Sequence, residues 1–358
     1  MTHPTPQYLL YLLAALSTAN CTHSTPAQVD NDPKEPWSSG PPTQLTASPV
    51  AILNFTADGT GILIARRRVA IERLPNGSTR KDTGEMFVGQ IPTAGGSGVW
   101  EWSDDRPDQF DSLNNITAAA LSSNGQLLIQ ELTGPISSNP DNFPVFWHAE
   151  LYLVNLDARG YRRRLVGLFD EIDGQAVVPP GTLNWFSSLQ WAGEYRFVGE
   201  GAHLSPRPGE PIQRLGLFQG LIRNDTTVVE LIDDLSDVDE WSVTEDGMVL
   251  LRSGLDLFLL PASGGQREAI TTIPAAPGRT VLAARCDRGS CWVVSRGGQP
   301  NGAAWDVWNI DRPDGHPTLV RTFNPDVLGV PRLPPRSRHA IVQVGGIPYA
   351  IREILSVP

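Results

Sequence analysis

The side chains best suited to chemistry in this 358-residue chain are few and widely spaced. Asn115, Asn184 and the adjacent pair Asp239-Glu240 each stand at the start of an apolar run. Amide and carboxylate oxygens converging from separate segments suit a hard cation such as calcium, although Asn and Asp also serve simply as turn formers. Beyond the first 42 residues the histidines are His148, His203, His316 and His339, without the spacing of metal ligands. Trp147, His148 and His203 border long polar stretches and read as members of a recognition rim. The chain contains no G-x-S-x-G elbow, no H-E-x-x-H, no phosphate-binding glycine loop and no paired-cysteine zinc spacing. No strong catalytic constellation stands out.

Charge narrows the partners. A net charge of −11 disfavours nucleic acid, which needs a clustered positive surface. The triplets Arg66-Arg67-Arg68 and Arg162-Arg163-Arg164 are local exceptions that read as solvated strand or loop faces.

The three cysteines carry separate messages. Cys286 and Cys291 flank the turn Asp287-Arg288-Gly289-Ser290 and would face each other across a hairpin, within reach of a disulfide. Two reduced thiols are the alternative. Cys21 is then the odd residue. It follows the apolar run Tyr8–Leu16, which is too short to span a bilayer and has the length of a signal-peptide core. Cleavage after Ala19, or lipidation of Cys21 in the manner of a bacterial lipoprotein, both fit the small residues in between. With such a leader the protein is expected in the periplasm or on the outer cell surface, touching a membrane only through a lipid anchor if Cys21 is modified. Residues 1–20 thus read as a signal peptide. Residues 21–42, rich in Ser, Thr, Pro, Asp and Asn, read as a flexible tether that cannot bury enough surface to fold alone.

The elements that must position these residues are short strands. In Trp241–Thr272 four extended runs are separated by Glu245-Asp246-Gly247, Ser253-Gly254 and Ala262-Ser263-Gly264-Gly265, turns whose glycines supply positive φ. Leu255, Leu257 and Leu259 point one way, and Phe258 and Leu260 the other. A sheet apolar on both faces needs cover on both, which a β-propeller blade receives from its neighbours. The same grammar recurs from residue 51 to the C-terminus, so residues 43–358 read as one all-β propeller domain. Six blades of four antiparallel strands are expected, or seven if the 86–110 region forms its own. The last unit is one strand short, and a strand near Thr43–Ala47 would close the ring. The sequon Asn54-Phe55-Thr56 falls inside a predicted strand, and the four sequons of the chain read as chance.

The stretches ITAAALSSNGQLLIQE with AELYLVNLDARG, and WSVTEDGMVLLRSGLDLFLLPASGG, resemble the repeats of the TolB-like, WD40-like six-bladed propellers. The resemblance implies the fold and a protein-docking role. In residue type, Asn115, Asn184, Asp239 and Glu240 are similar to the channel ligands of the calcium-dependent lactonase and paraoxonase propellers, with Pro49-Val50 where those have an acidic ligand. In a propeller the connections between second and third strands share a face with the channel mouth, and here they are long in the first three units. The leading expectation is therefore a non-enzymatic, exported propeller, without a cofactor, binding a protein or glycan partner of the cell envelope on that face. The alternative is a calcium-assisted hydrolase of the lactonase type at the channel mouth.

Overall fold

The computed structural model describes residues 42–355, apart from 68–69, 74–78, 83–85, 97, 99, 104–111, 136–147, 157–160, 170, 173–174, 177–182, 204–211, 224–226, 288, 298–303, 313–314, 325–328 and 353. The signal-peptide and tether readings, Cys21 and Trp147 lie outside the described residues.

The chain opens with β1 (Thr43–Gln44). The first blade comprises β2 (Ala51–Phe55), β3 (Gly61–Arg67), β6 (Met86–Pro92) and β7 (Trp100–Ser103), with a separate ribbon of β4 (Ala70–Arg73) and β5 (Thr79–Asp82) inserted after β3. The second holds β8 (Ser112–Leu121), β9 (Gln126–Pro135), β10 (His148–Asn155) and β11 (Tyr161–Phe169), followed by the short pair β12 (Glu171–Ile172) and β13 (Gln175–Ala176). The third contains β14 (Trp185–Trp191), β15 (Arg196–His203), β16 (Gln213–Ile222) and β17 (Thr227–Asp233). The fourth runs β18 (Glu240–Val243), β19 (Met248–Ser253), β20 (Asp256–Pro261) and β21 (Glu268–Thr272). The fifth is β22 (Thr280–Cys286), β23 (Ser290–Arg296), β24 (Trp305–Asp311) and β25 (Pro317–Phe323). The sixth has only β26 (Pro331–Arg332), β27 (Ala340–Val344) and β28 (Ile347–Ile351) from its own stretch of chain. Its fourth strand is β1, which pairs antiparallel with β28 through Thr43 opposite Ala350 and Gln44 opposite Tyr349. The propeller thus has six blades, and the expected N-terminal strand closes it. Residues 86–103 supply the outer half of the first blade, not a seventh.

The core is not one mass but six seams, as two-faced sheets demand. Leu257 and Leu259 pack with Val293 and Ile310 between blades four and five, while Leu260 and Phe258 pack with Val198 and Leu217 between blades three and four. Trp292 and Val342 meet between blades five and six, Leu63 and Ile129 between one and two, and Leu128 and Phe197 between two and three. The sixth seam joins Ile62 and Ile64 of the first blade to Ile341 and Ala350 of the last, with Leu45 and Val50 from the closing segment. Each apolar strand alternates its side chains between two seams, so closing the ring covers the blades' inner strands on both faces.

The first hairpin turn of blades one, two and four is built locally. In Thr56-Ala57-Asp58-Gly59 the Thr56 hydroxyl donates to Asp58 at 2.6 Å and accepts the Gly61 amide at 2.9 Å. Ser122 with Asn124, and Thr244 with Asp246, repeat the arrangement. Gly59, Gly125 and Gly247 take φ values of 70°, 79° and 78°, where a side chain is strained. These turns also touch their neighbours. A Cβ on Gly59 would fall onto the Pro335 carbonyl oxygen of blade six, and one on Gly247 would lie 2.7 Å from that of Ala192 in blade three. Glycine therefore serves both turn and seam.

Candidate functional site

The innermost strands β2, β8, β14, β18, β22 and β26 surround the axis, and their entry residues form one mouth of the central channel. The connection from β17 to β18 is an acidic stretch, residues 233–240, that is pinned from below. Arg267 grips Asp233 at 2.6 Å and Asp237 at 2.7 Å, and the Asp233 side chain accepts the Leu235 amide at 2.8 Å, with Leu235 at φ 53°. Hydrogen bonds donated by the Arg267 guanidinium to Asp233, opposed by burial and supplemented by those to Asp237, push it well above its ordinary value. Hydrogen bonds from the backbone and hydroxyl of Ser236 hold Asp234 below the usual carboxylate range.

This pinned connection delivers Asp239 and Glu240 side by side. Arg252, opposite Glu240 in the β18–β19 register, binds both: Asp239 at 3.0 Å and Glu240 at 3.2 Å. Asp239 also accepts the Gly254 amide at 2.8 Å. Glu240 reaches further, accepting the Ala284 N–H of blade five and lying within electrostatic range of Arg332 of blade six. Its side chain is 36% exposed, yet protein crowds it closely; both hold for a group opening on a narrow mouth. Desolvation pushes its carboxyl above the usual value, and Arg252, Arg332 and the Ala284 amide do not fully offset this.

Asn184 is buried, its amide N–H bonded to the Ala202 carbonyl at 3.2 Å. Asn115 lies in β8 opposite Leu132; its side chain lies outside the described residues. Of the four candidate ligands, the structure brings Asp239 and Glu240 together, and it does so around a guanidinium that a calcium ion would have to displace. Among the described residues no three His, Cys, Asp or Glu side chains are grouped as a metal site. His148 begins β10 opposite Thr133, with its side chain likewise outside the described residues. His203 ends β15 opposite Gln213 and is buried.

The channel itself is crossed. The Asn54 side-chain amide of blade one donates to the Leu189 carbonyl of blade three at 2.5 Å. On the opposite side of the ring, Arg336 of blade six pairs with Glu245 of blade four at 2.7 Å. These two contacts tie blades that are not neighbours. Sequence reasoning named Glu240 but not its partners. The Glu240–Arg252 pairing was countable from the Glu245-Asp246-Gly247 turn, since a hairpin register follows from its turn; the cross-channel pairs carried no local signal.

The rim is unequal. Second and third strands are joined through residues 68–85, 136–147 and 204–212 in blades one to three, the first of these containing the β4–β5 ribbon. In blade five the same joint is residues 297–304, in blade four it is only Gly254-Leu255, and in blade six Gly345-Gly346.

No family model matches the chain, and no curated protein does. The solved structures it resembles are β-propellers, WD40 repeats among them. The Cps50 (Swd1) β-propeller domain of Myceliophteria thermophila shares 12% identity at a TM-score of 0.41, over 86% of this chain and 98% of that one. The WD40 repeats of RRP9 share 10% identity at 0.38, over 86% and 98%. An oligogalacturonate lyase from Vibrio parahaemolyticus shares 11% at 0.41, over 86% and 92%. Such likenesses concern the fold alone, and the blade count rests on the sheets and seams of this chain.

Proposed function

We propose that the chain is a non-enzymatic, exported propeller that binds a protein or glycan partner of the cell envelope through the long-loop face of blades one to three. The observation that carries the reading is the inequality of the rim: the joints 68–85, 136–147 and 204–212 fall on consecutive blades, blade five adds the shorter 297–304, and blades four and six keep two-residue joints there. Long loops held by a rigid frame are where recognition is usually carried. The frame here is closed by β1 and tied across its axis. The charges at the channel mouth are engaged with one another, which suits a framework better than a reacting centre. Export is supported by the leader and by the Cys286–Cys291 disulfide, a bond that persists in oxidising compartments.

The test replaces residues 136–147 and 204–212 with short Gly-Ser turns and compares capture of cross-linked envelope proteins and arrayed glycans with that of the unaltered chain. Loss of capture with an unchanged melting temperature is expected; equal capture overturns the reading. Mass spectrometry of the mature protein addresses the anchor: a lipidated Cys21 at the N-terminus is expected, and an unmodified N-terminus at Asn20 removes it.

A further inference from the structure

We propose that the Cys286–Cys291 disulfide is a redox-sensitive latch on the blade that closes the ring. The sixth blade is the one most in need of a clamp. Its innermost strand β26 and its outermost strand β1 are two residues each. Closure relies on Thr43 and Gln44 against β28, on the Leu45 amide bonded to the Pro348 carbonyl at 2.9 Å, and on the seam behind them.

The clamp grips the turn between β26 and β27, Pro334–Arg336. Asp287, the residue after Cys286, uses one carboxylate oxygen to accept the Arg336 amide at 3.2 Å and the other to accept from the Arg285 guanidinium at 3.0 Å. Arg285 is buried, faces blade six, and donates to the Pro334 carbonyl. Held this way, Arg336 sits at φ 53°, sends its guanidinium to Glu245 of blade four at 2.7 Å, and leaves Pro335 against Gly59 of blade one. A single carboxylate at the tip of the disulfide hairpin thus organises contacts from blades five, four and one onto blade six.

The disulfide fixes that tip. Cys286 and Cys291 are paired across β22 and β23, and the tip beyond them holds the Asp287 amide on the Ser290 carbonyl at 2.9 Å. Reduction by a dithiol transfers two electrons and two protons to the bond, giving the Cys286 and Cys291 thiols and leaving the reductant as its own disulfide. Two thiol sulfurs must then move apart to non-bonded contact. The strands behind them are packed against Leu257 and Ile310, so the displacement is taken up at the tip, where Asp287 is. Arg285 then keeps a buried charge while its ion-pair partner shifts, and the grip on Pro334 and Arg336 loosens.

Hydrogen exchange of the folded chain, oxidised and after dithiothreitol, tests the latch, with alkylation of Cys286 and Cys291 confirming reduction. Exchange at residues 43–50 and 347–351 should accelerate by about tenfold or more, while 248–260 of blade four stays unchanged. Cys286→Ser/Cys291→Ser should behave as the reduced protein. Asp287→Asn, with the disulfide intact, should reproduce the acceleration at blade six. Exchange that rises only at 286–291, rises equally in every blade, or ignores Asp287→Asn overturns the proposal.

Discussion

The side-chain amide of Asn54 in the first blade donates to the main-chain carbonyl of Leu189 in the third, 2.5 Å away across the channel, while its own oxygen accepts the Phe55 amide at 2.8 Å. Asn54 sits beside the irregularity in β2 between Ile52 and Asn54, and comparable register shifts occur in β8, β14 and β22. Bulges of this kind re-aim a side chain out of the pleat. Here one of them turns an amide toward a strand two blades away.

Replacing Asn54 by Ala removes a part-buried hydrogen bond and leaves the Leu189 carbonyl without it, which should cost about 1–3 kcal/mol. Asn54→Asp should cost more, because a carboxylate would face a carbonyl. Urea unfolding followed by tryptophan fluorescence reads both; midpoints equal to that of the parent would show that the tie contributes nothing.

Gly59 and Gly254 both take positive φ, 70° and 58°, but only Gly59 lies against another blade. Gly254→Ala should therefore show the left-handed backbone penalty alone, about 1–2 kcal/mol. Gly59→Ala adds a collision with Pro335 and should destabilise the protein well beyond that, with the seam between blades six and one opening first. Thermal melts of the two variants compare them directly, and equal losses would contradict the seam contact.

Glu240 and Asp58 should pull the pH profile of stability in opposite directions. Because desolvation raises the folded-state value of Glu240, its contribution is fully present below the ordinary 4.5 and is lost as pH rises through the raised value. Burial disfavours the charge on Asp58, but hydrogen bonds from Thr56 and Thr60 outweigh it, so its contribution is present above 3.8 and is lost as pH falls through the lowered value. Glu240→Gln should flatten the decline above 4.5 and leave the acid limb in place. Denaturant titrations between pH 3 and 7 would expose the difference; an unaltered slope above 4.5 counts against the assignment.

Calcium should leave the melting temperature unchanged, since Arg252 already occupies Asp239 and Glu240. A ligand bound only to the folded state raises the melting temperature with its concentration. An increase on adding calcium that Glu240→Gln abolishes would restore the metal reading of the channel mouth.

Much of the frame was legible along the chain because it is made of local or nearly local contacts. The glycine turns, the two-sided apolar runs such as Leu255–Leu260, the facing cysteines at 286 and 291, and the missing strand supplied near Thr43 all follow from alternation and turn chemistry. The site was legible only in part. Glu240 could be placed at the channel mouth, and its pairing with Arg252 is a matter of hairpin register.

What the sequence by itself determined is the blade: a four-stranded sheet apolar on both faces cannot stand alone, so repeats of it must stack and close. What only the tertiary structure decided is how the middle of the ring is used. Asn54 with Leu189 and Arg336 with Glu245 are pairs separated by 90 residues or more, brought together by the curvature of a closed ring. No periodicity or turn signal encodes such a meeting, because it depends on how far each blade rotates from the last. The burial of His203, read from sequence as a rim residue, and of Asn184, read as a residue of the channel mouth, has the same origin.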